Sequence, residues 1–128
     1  MGIFTRTELL LGVEGINKLK NSSIAIFGIG GVGSYTVEAL ARSGVGHITI
    51  FDYDKICPTN INRQLIATQK TLGKPKVNIM KDRIKEINPD ARVTIYQTFY
   101  TGVQVIFHNN CRDEENRLLQ TNVGNTLG

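Results

Sequence analysis

Runs of apolar and polar residues divide the chain into segments that predict alternating strands and helices. Four consecutive apolar residues at 24–27 predict a strand buried on both faces, and "HITIF" (47–51) and "RVTIY" (92–96) predict two more. A helix is predicted from about Gly31 to Arg42, and a second with Pro75 at its first position, followed by apolar residues that recur at spacings of three and four. This order predicts an α/β fold: a Rossmann-like, doubly wound, mainly parallel sheet.

The two ends of the chain differ in how strongly they predict structure. A capping-box pattern at Thr5 and Glu8 predicts an N-terminal helix that Gly12 interrupts. Residues 1–100 are therefore predicted to form one Rossmann-like domain with N-terminal helices. Residues 101–128 are predicted to form a divergent tail, with "VQVIF" as a possible strand and the remainder poorly ordered. We expect the sheet to be truncated at its carboxy-terminal side.

Composition narrows the functional classes. The 128 residues are 41% hydrophobic and 20% charged, as in one ordinary soluble domain. No apolar run reaches membrane-spanning length and the start lacks the layout of a secretory signal, so we expect a cytoplasmic protein without a membrane partner. Two cysteines, Cys57 and Cys111, are too few for a four-ligand zinc site. We predict no metal site and two free thiols.

The segment after the first strand carries a G-x-G-x-x-G pattern, formed by Gly28, Gly30 and Gly33, with Gly31 as an extra glycine. The first glycine permits a tight turn, the second lets phosphate oxygens approach, and the third lets the helix pack closely on the strand. The helix start attracts anions. Asp52, at the end of the second strand, can accept hydrogen bonds from ribose hydroxyls. Together these features predict a nucleotide-binding site.

The residues after the ribose-binding acid favour ATP over a redox dinucleotide. "TNINRQ" (59–64) and "TLGKPK" (71–76) supply polar groups and cations, including Arg63 and Lys76. Seven basic residues and one acidic residue lie between residues 63 and 85, which suits a polyanion such as ATP or nucleic acid. A redox domain needs few polar or charged residues just after its ribose-binding acid. An oxidoreductase domain that binds NAD or FAD is the less favoured alternative.

Several motifs in this order resemble one family: "FTRTELLLG", "GIGGVG", "TNINRQ", "GKPKV" and "INPDARV". Residues 3–100 resemble the ThiF, MoeB and HesA group of adenylylating enzymes, which belong to the ubiquitin-activating-enzyme-like superfamily. The resemblance is strongest to the branch that dehydrates threonylcarbamoyladenosine in tRNA. The nucleotide-binding residues that it implies are Gly28, Gly30, Gly31, Gly33, Asp52, Asn60, Arg63 and Lys76.

The same resemblance implies the roles of individual side chains. Arg63 would contact and orient phosphate with Asn60, and Lys76 would stabilise charge on the α-phosphate as it is attacked. Gln64 would support the loop. Arg6, in "FTRT", matches an arginine that in this family reaches into the site of the partner subunit. That role implies a homodimer.

The implied reaction is attack by a carboxylate on the α-phosphate of Mg-ATP, so the expected cofactors are ATP and Mg²⁺. In the dehydratase branch the carboxylate belongs to the threonylcarbamoyl group of a tRNA adenosine, which is then cyclised. The alternatives are adenylylation of a ubiquitin-like sulfur carrier, with a sulfur-carrier or cysteine-desulfurase-type partner, and a non-catalytic dimeric module. Beyond about residue 100 neither the family's Mg-ATP aspartate nor a CxxC pair can be matched. An inactive chain is therefore a further expectation.

Overall fold

Three parallel strands separated by helices make up the part of the chain that the structure describes, residues 2–98 of a computed structural model. The predicted α/β, Rossmann-like fold is confirmed. The elements are α1 (Thr5–Lys20), β1 (Ser23–Phe27), α2 (Gly31–Ser43), β2 (His47–Phe51), a 3-10 turn (Pro58–Asn60), α3 (Lys76–Ile87) and β3 (Arg92–Tyr96).

The strands lie side by side in the order β1-β2-β3, and both pairs are parallel. Ile26 of β1 is level with Ile50 of β2, which is level with Ile95 of β3. Helices α2 and α3 pack on each other, as expected when two successive right-handed crossovers lie on one face of the sheet. The sheet face that carries these isoleucines therefore meets the helices.

The hydrophobic core lies between that face of the sheet and the two helices. Ile48 and Ile50 of β2 are fully buried, because β2 is the central strand. The helices contribute residues at spacings of three and four, the pattern of an apolar stripe. Those residues include Val37 and Ala41 of α2 and Val77, Met80 and Ile84 of α3.

A carboxylate between α2 and α3 fixes the two helices to each other. Glu38 accepts hydrogen bonds from Arg83 on both oxygens, at 2.9 Å each, and from Arg42 Nε at 2.8 Å. The hydrogen bonds from Arg83 lower the pKa of the Glu38 carboxyl below its usual value, against a smaller opposing effect of burial. The Glu38 carboxylate therefore stays ionised to a lower pH than an ordinary glutamate.

Helix α1 is kinked, as the sequence predicted. Gly12 has φ 75° and ψ 168° inside the helix. The predicted capping box is wrong: the N-cap is Phe4, and the Thr5 hydroxyl donates to the carbonyl oxygen of Gly2 at 2.8 Å. The ring of Phe4 instead packs near Gly44, which follows the C-terminal end of α2.

Some predictions fall on residues that the structure does not describe. The tail at 101–128, with its possible strand "VQVIF", lies outside residues 2–98. Within the described range, none of the helices has the length and apolar character needed to cross a membrane.

Candidate functional site

The glycine loop joins β1 to α2 with almost no space between them. Gly28 has φ +91°, in the left-handed region that favours glycine, and its N–H donates to the carbonyl oxygen of Phe51 at 2.8 Å. A Cβ atom on Gly33 would lie 2.0 Å from the carbonyl oxygen of Gly28. The first turn of α2 therefore rests directly on the loop backbone, and its N–H groups end at the carboxyl edge of the sheet.

Asp52 connects the end of β2 to this loop. Its side chain is buried, at 3% exposure, and Oδ2 accepts the N–H of Ile29 at 2.9 Å while Oδ1 accepts the N–H of Asp54 at 2.8 Å. Burial raises the pKa of the Asp52 carboxyl above its usual value, opposed by those two hydrogen bonds and by the positive charge of Lys76. The acid predicted to bind ribose thus also fixes the loop.

Arg63 lies beside the first turn of α2. Its Cγ and Cδ atoms are 3.6 and 3.8 Å from the position of a Cβ on Gly31. The guanidinium Nη1 donates to the carbonyl oxygen of Thr59 at 2.9 Å and to Asn62 Oδ1 at 2.7 Å. The structure therefore places Arg63 beside the glycine loop, and its hydrogen bonds hold the side chain within its own segment.

Asn60 and Lys76 are both buried. Asn60 is fully buried, and its Oδ1 accepts the N–H of Cys57 at 2.9 Å, across the 3-10 turn. Lys76 is 1% exposed at the start of α3, where its N–H donates to the carbonyl oxygen of Asp54 at 3.0 Å. Because its N–H meets Asp54, two residues after Asp52, Lys76 lies at the same edge of the sheet. Their contacts with a nucleotide remain predictions.

Ser34 belongs to the site and was missed by the sequence analysis. Its side chain is fully buried in the first turn of α2, and its Oγ accepts the N–H of Leu65 at 3.3 Å. The hydroxyl joins α2 to the segment that carries Arg63. The available signal was its spacing: Ser34 precedes Val37 and Ala41 by three and seven residues, so this polar residue lies in the apolar stripe.

Arg6 lies far from the glycine loop of its own chain. It is exposed on α1, two residues after Phe4, whose ring is near Gly44 at the C-terminal end of α2. The 13 residues of α2 separate that end from the loop by about 20 Å at 1.5 Å per residue. A role for Arg6 in catalysis therefore requires the site of a second copy.

The sequence analysis also made predictions about the two cysteines and about metal binding. Cys57 is disulfide-bonded, so the prediction of a free thiol is wrong for this residue, and Cys111 lies outside the described part of the chain. Among residues 2–98, His, Cys, Asp and Glu form no group of three or more that could hold a metal ion.

Known proteins share this sequence and fold. The tRNA threonylcarbamoyladenosine dehydratase of Bacillus subtilis (strain 168) is 54% identical over 98 residues, which are 77% of this chain and 39% of that protein. The Escherichia coli (strain K12) molybdopterin-synthase adenylyltransferase is 36% identical over 93 residues, 71% of this chain and 37% of that protein.

Solved structures of other proteins share the fold of this chain. The crystal structure of the E. coli tRNA N6-threonylcarbamoyladenosine dehydratase, TcdA, in complex with ATP has a TM-score of 0.76 at 43% identity and is matched over 80% of this chain and 42% of that one. The chain thus spans about two-fifths of the length of these relatives. The model of the ThiF family matches residues 4–117, beyond residue 100, where the motif resemblance ended. The predicted resemblance is confirmed, and the chain belongs to the ThiF family.

Proposed function

We propose that the chain binds Mg-ATP at the glycine loop and takes part in adenylylation of a carboxylate, that of the threonylcarbamoyl group on a tRNA adenosine. One observation carries the proposal: the stem of Arg63 lies 3.6 Å from the Cβ position of Gly31, at the positive end of α2. A cation beside a helix start suits a triphosphate, whose charge exceeds that of a dinucleotide's pyrophosphate.

The chain's own residues would position the nucleotide and stabilise its charge. The N–H groups at the start of α2 would bind phosphate oxygens, and Asp52 would hold the ribose. Arg63 would orient the phosphates, and Lys76 would face the α-phosphate as the carboxylate attacks. Lys76 is 1% exposed, so nucleotide binding must open a path to its ammonium group.

The described residues offer Mg²⁺ no ligand cage of their own. Among residues 2–98, His, Cys, Asp and Glu side chains form no cluster of three or more that could hold a metal ion. The ion would therefore enter on the phosphates of ATP, its usual mode in such sites. We assign no catalytic step to it.

Two findings support a tRNA substrate. Both the B. subtilis relative and the E. coli structure carry the name of a tRNA-modifying dehydratase. Lys70 and Lys74 are exposed between the Arg63 segment and α3, where they can contact phosphates of a polynucleotide. Similarity to a molybdopterin-synthase adenylyltransferase favours the second candidate, the C-terminal carboxylate of a sulfur-carrier protein.

Nucleotide binding is tested by calorimetric titration of the chain with Mg-ATP and with NAD. Arg63→Ala should weaken ATP binding about 10- to 100-fold, because hydrogen bonds to charged groups contribute about 1.5–3 kcal/mol. Arg92→Ala is the matched control, since Arg92 is an exposed arginine at the opposite end of the sheet. Binding of NAD alone, or equal ATP affinity in both variants, would contradict the proposal.

The reaction is tested by ATP–pyrophosphate exchange. Exchange should appear with tRNA that carries threonylcarbamoyladenosine and stay at background with unmodified tRNA. Exchange with a sulfur carrier instead would establish the second candidate. If ATP binds but no carboxylate supports exchange, the chain is a non-catalytic module.

We also propose a homodimer. In a dimer, Arg6 could reach the glycine loop of the partner although it lies far from its own. Helix α1 would also bury apolar side chains that are exposed in the single chain, Leu9 at 81% and Leu10 at 87%. Analytical ultracentrifugation should show a dimer that Leu10→Glu converts to monomers. A monomeric wild-type chain would remove Arg6 from the site.

A further inference from the structure

One buried side chain of the site lacks hydrogen-bond partners in the part of the chain that the structure describes. Gln64 is 3% exposed, and neither its Nε2 nor its Oε1 has a hydrogen-bond partner among residues 2–98. Buried carboxamides are almost always paired, because leaving their polar atoms unpaired is unfavourable. Such an exception at a ligand site therefore points to a partner that the protein itself does not supply.

The position of Gln64 connects it to the start of α2 on both sides. The preceding carbonyl oxygen, of Arg63, is 3.9 Å from the Cβ position of Gly31, and the following N–H, of Leu65, donates to Ser34 Oγ at 3.3 Å. The backbone of Gln64 is bonded as well, with its N–H donating to the carbonyl oxygen of Asn60 at 2.9 Å. The unpaired carboxamide is thus attached to a backbone that is fixed next to the glycine loop.

The chemistry of the carboxamide identifies the partner. Nε2 is a donor and Oε1 is an acceptor, so a single partner that satisfies both atoms must accept from the first and donate to the second. A phosphate oxygen can accept from Nε2 but cannot donate to Oε1. A water molecule does both, and buried waters typically make about three hydrogen bonds to such groups.

We propose that Gln64 is a positioning residue whose carboxamide binds a buried water beside the first turn of α2. The water's third hydrogen bond, to a backbone group of the glycine loop or of the first turn of α2, holds the backbone on either side of Gln64, and through it Arg63, against the loop. The inference concerning Arg63 rests on the proposed nucleotide binding, whereas the water itself does not.

The water is tested first, in the wild-type chain. A high-resolution crystal structure should show one water within about 3 Å of both Nε2 and Oε1. A carboxamide that is bonded to protein groups, or a dry site, would overturn the proposal whether or not the chain binds ATP.

The positioning role is tested with Gln64→Met, which keeps the length of the side chain but removes both polar atoms. The matched control is Gln69→Met, because Gln69 is an exposed glutamine in the same segment. Amide exchange at Leu65 should become at least about tenfold faster in Gln64→Met only, since the constraint on this backbone is lost. Unchanged exchange would contradict the proposal, independently of any nucleotide.

A double-mutant cycle separates positioning from direct contact. Gln64→Met should weaken ATP binding about tenfold in the wild-type background and have no further effect in Arg63→Ala, because it acts through Arg63. Additive losses would mean that Gln64 acts independently of Arg63, which overturns this role. If the wild-type chain binds no ATP, the proposed function fails, and the crystal structure and exchange rates still decide the inference.

Discussion

Replacing Gly33 by alanine is a direct test of how β1 and α2 meet. The new Cβ would lie 2.0 Å from the carbonyl oxygen of Gly28, whereas ordinary contact begins near 3.4 Å, so the two groups must separate by about 1.4 Å. The obstacle is backbone, not the end of a flexible side chain. The first turn of α2 must therefore move away from the loop.

The expected cost follows from overpacking, which typically amounts to 1–3 kcal/mol. We expect about 3 kcal/mol for Gly33→Ala, because the backbone cannot give way by rotating a side chain. For a domain of this size the Tm should fall by roughly 12–24 °C, at about 4–8 °C per kcal/mol. Urea unfolding followed by far-UV circular dichroism measures the loss.

Gly31→Ala is the control within the same loop. Its Cβ would lie 3.6 Å from Arg63 Cγ, an ordinary contact, so we expect a change below about 1 kcal/mol and a gain if helix propensity dominates. Gly46→Ala repeats the clash at the far end of the sheet, with a Cβ 1.7 Å from the carbonyl oxygen of Lys20, and should destabilise as much as Gly33→Ala. Equal midpoints for Gly33→Ala and Gly31→Ala would refute the reasoning.

Two further predictions concern ionisation. Arg83 lowers the pKa of Glu38, so the ionised carboxylate favours folding. This contribution to stability is fully present above the usual glutamate pKa, about 4.3, and is lost as the pH falls through the lowered value. Glu38→Gln should therefore cost about 1 kcal/mol at pH 7, given the partial exposure of Arg83, and little near pH 2; urea unfolding at both pH values checks this. Asp52 has a raised pKa, so its protonated form favours folding. This contribution to the free energy of unfolding is fully present below the usual aspartate pKa, about 3.9, and is lost as the pH rises through the raised value. Titration by ¹³C NMR should place its midpoint above about 3.9, and higher still in Lys76→Met, which removes a nearby positive charge; a midpoint at or below 3.9 would contradict this.

Local sequence signals predicted most of the fold, because each element is bounded by residues with a clear physical effect. The strands are short apolar or β-branched runs, and α2 ends where Gly44 adopts φ +92°. The start of α3 was wrong by one residue, since Pro75 is the N-cap with ψ 131° and lies outside the helix. At Thr5 the pattern marked the start of α1 but not its cap, since Phe4 is the N-cap and the Thr5 hydroxyl donates to the carbonyl oxygen of Gly2.

The site could be predicted in outline only. Adjacent strand ends and a glycine loop follow from topology, and Asp52 and Arg63 both lie at this loop. The complete burial of Lys76, the bond from Leu65 to Ser34 and the unpaired amide of Gln64 depend on how segments distant in sequence pack. Periodicity contains no information about such contacts.

The strand order has a consequence for how the protein forms in the cell. Each strand pairs with the one that immediately precedes it in the chain, so every new element finds its neighbour already present as the ribosome releases it. The first residue of β2 pairs with a residue 24 positions earlier in the chain, and the first residue of β3 with one 45 positions earlier, so the second pairing must close the longer segment. The pairing of β1 with β2, which brings Asp52 to the glycine loop, should therefore form before β3 joins the sheet.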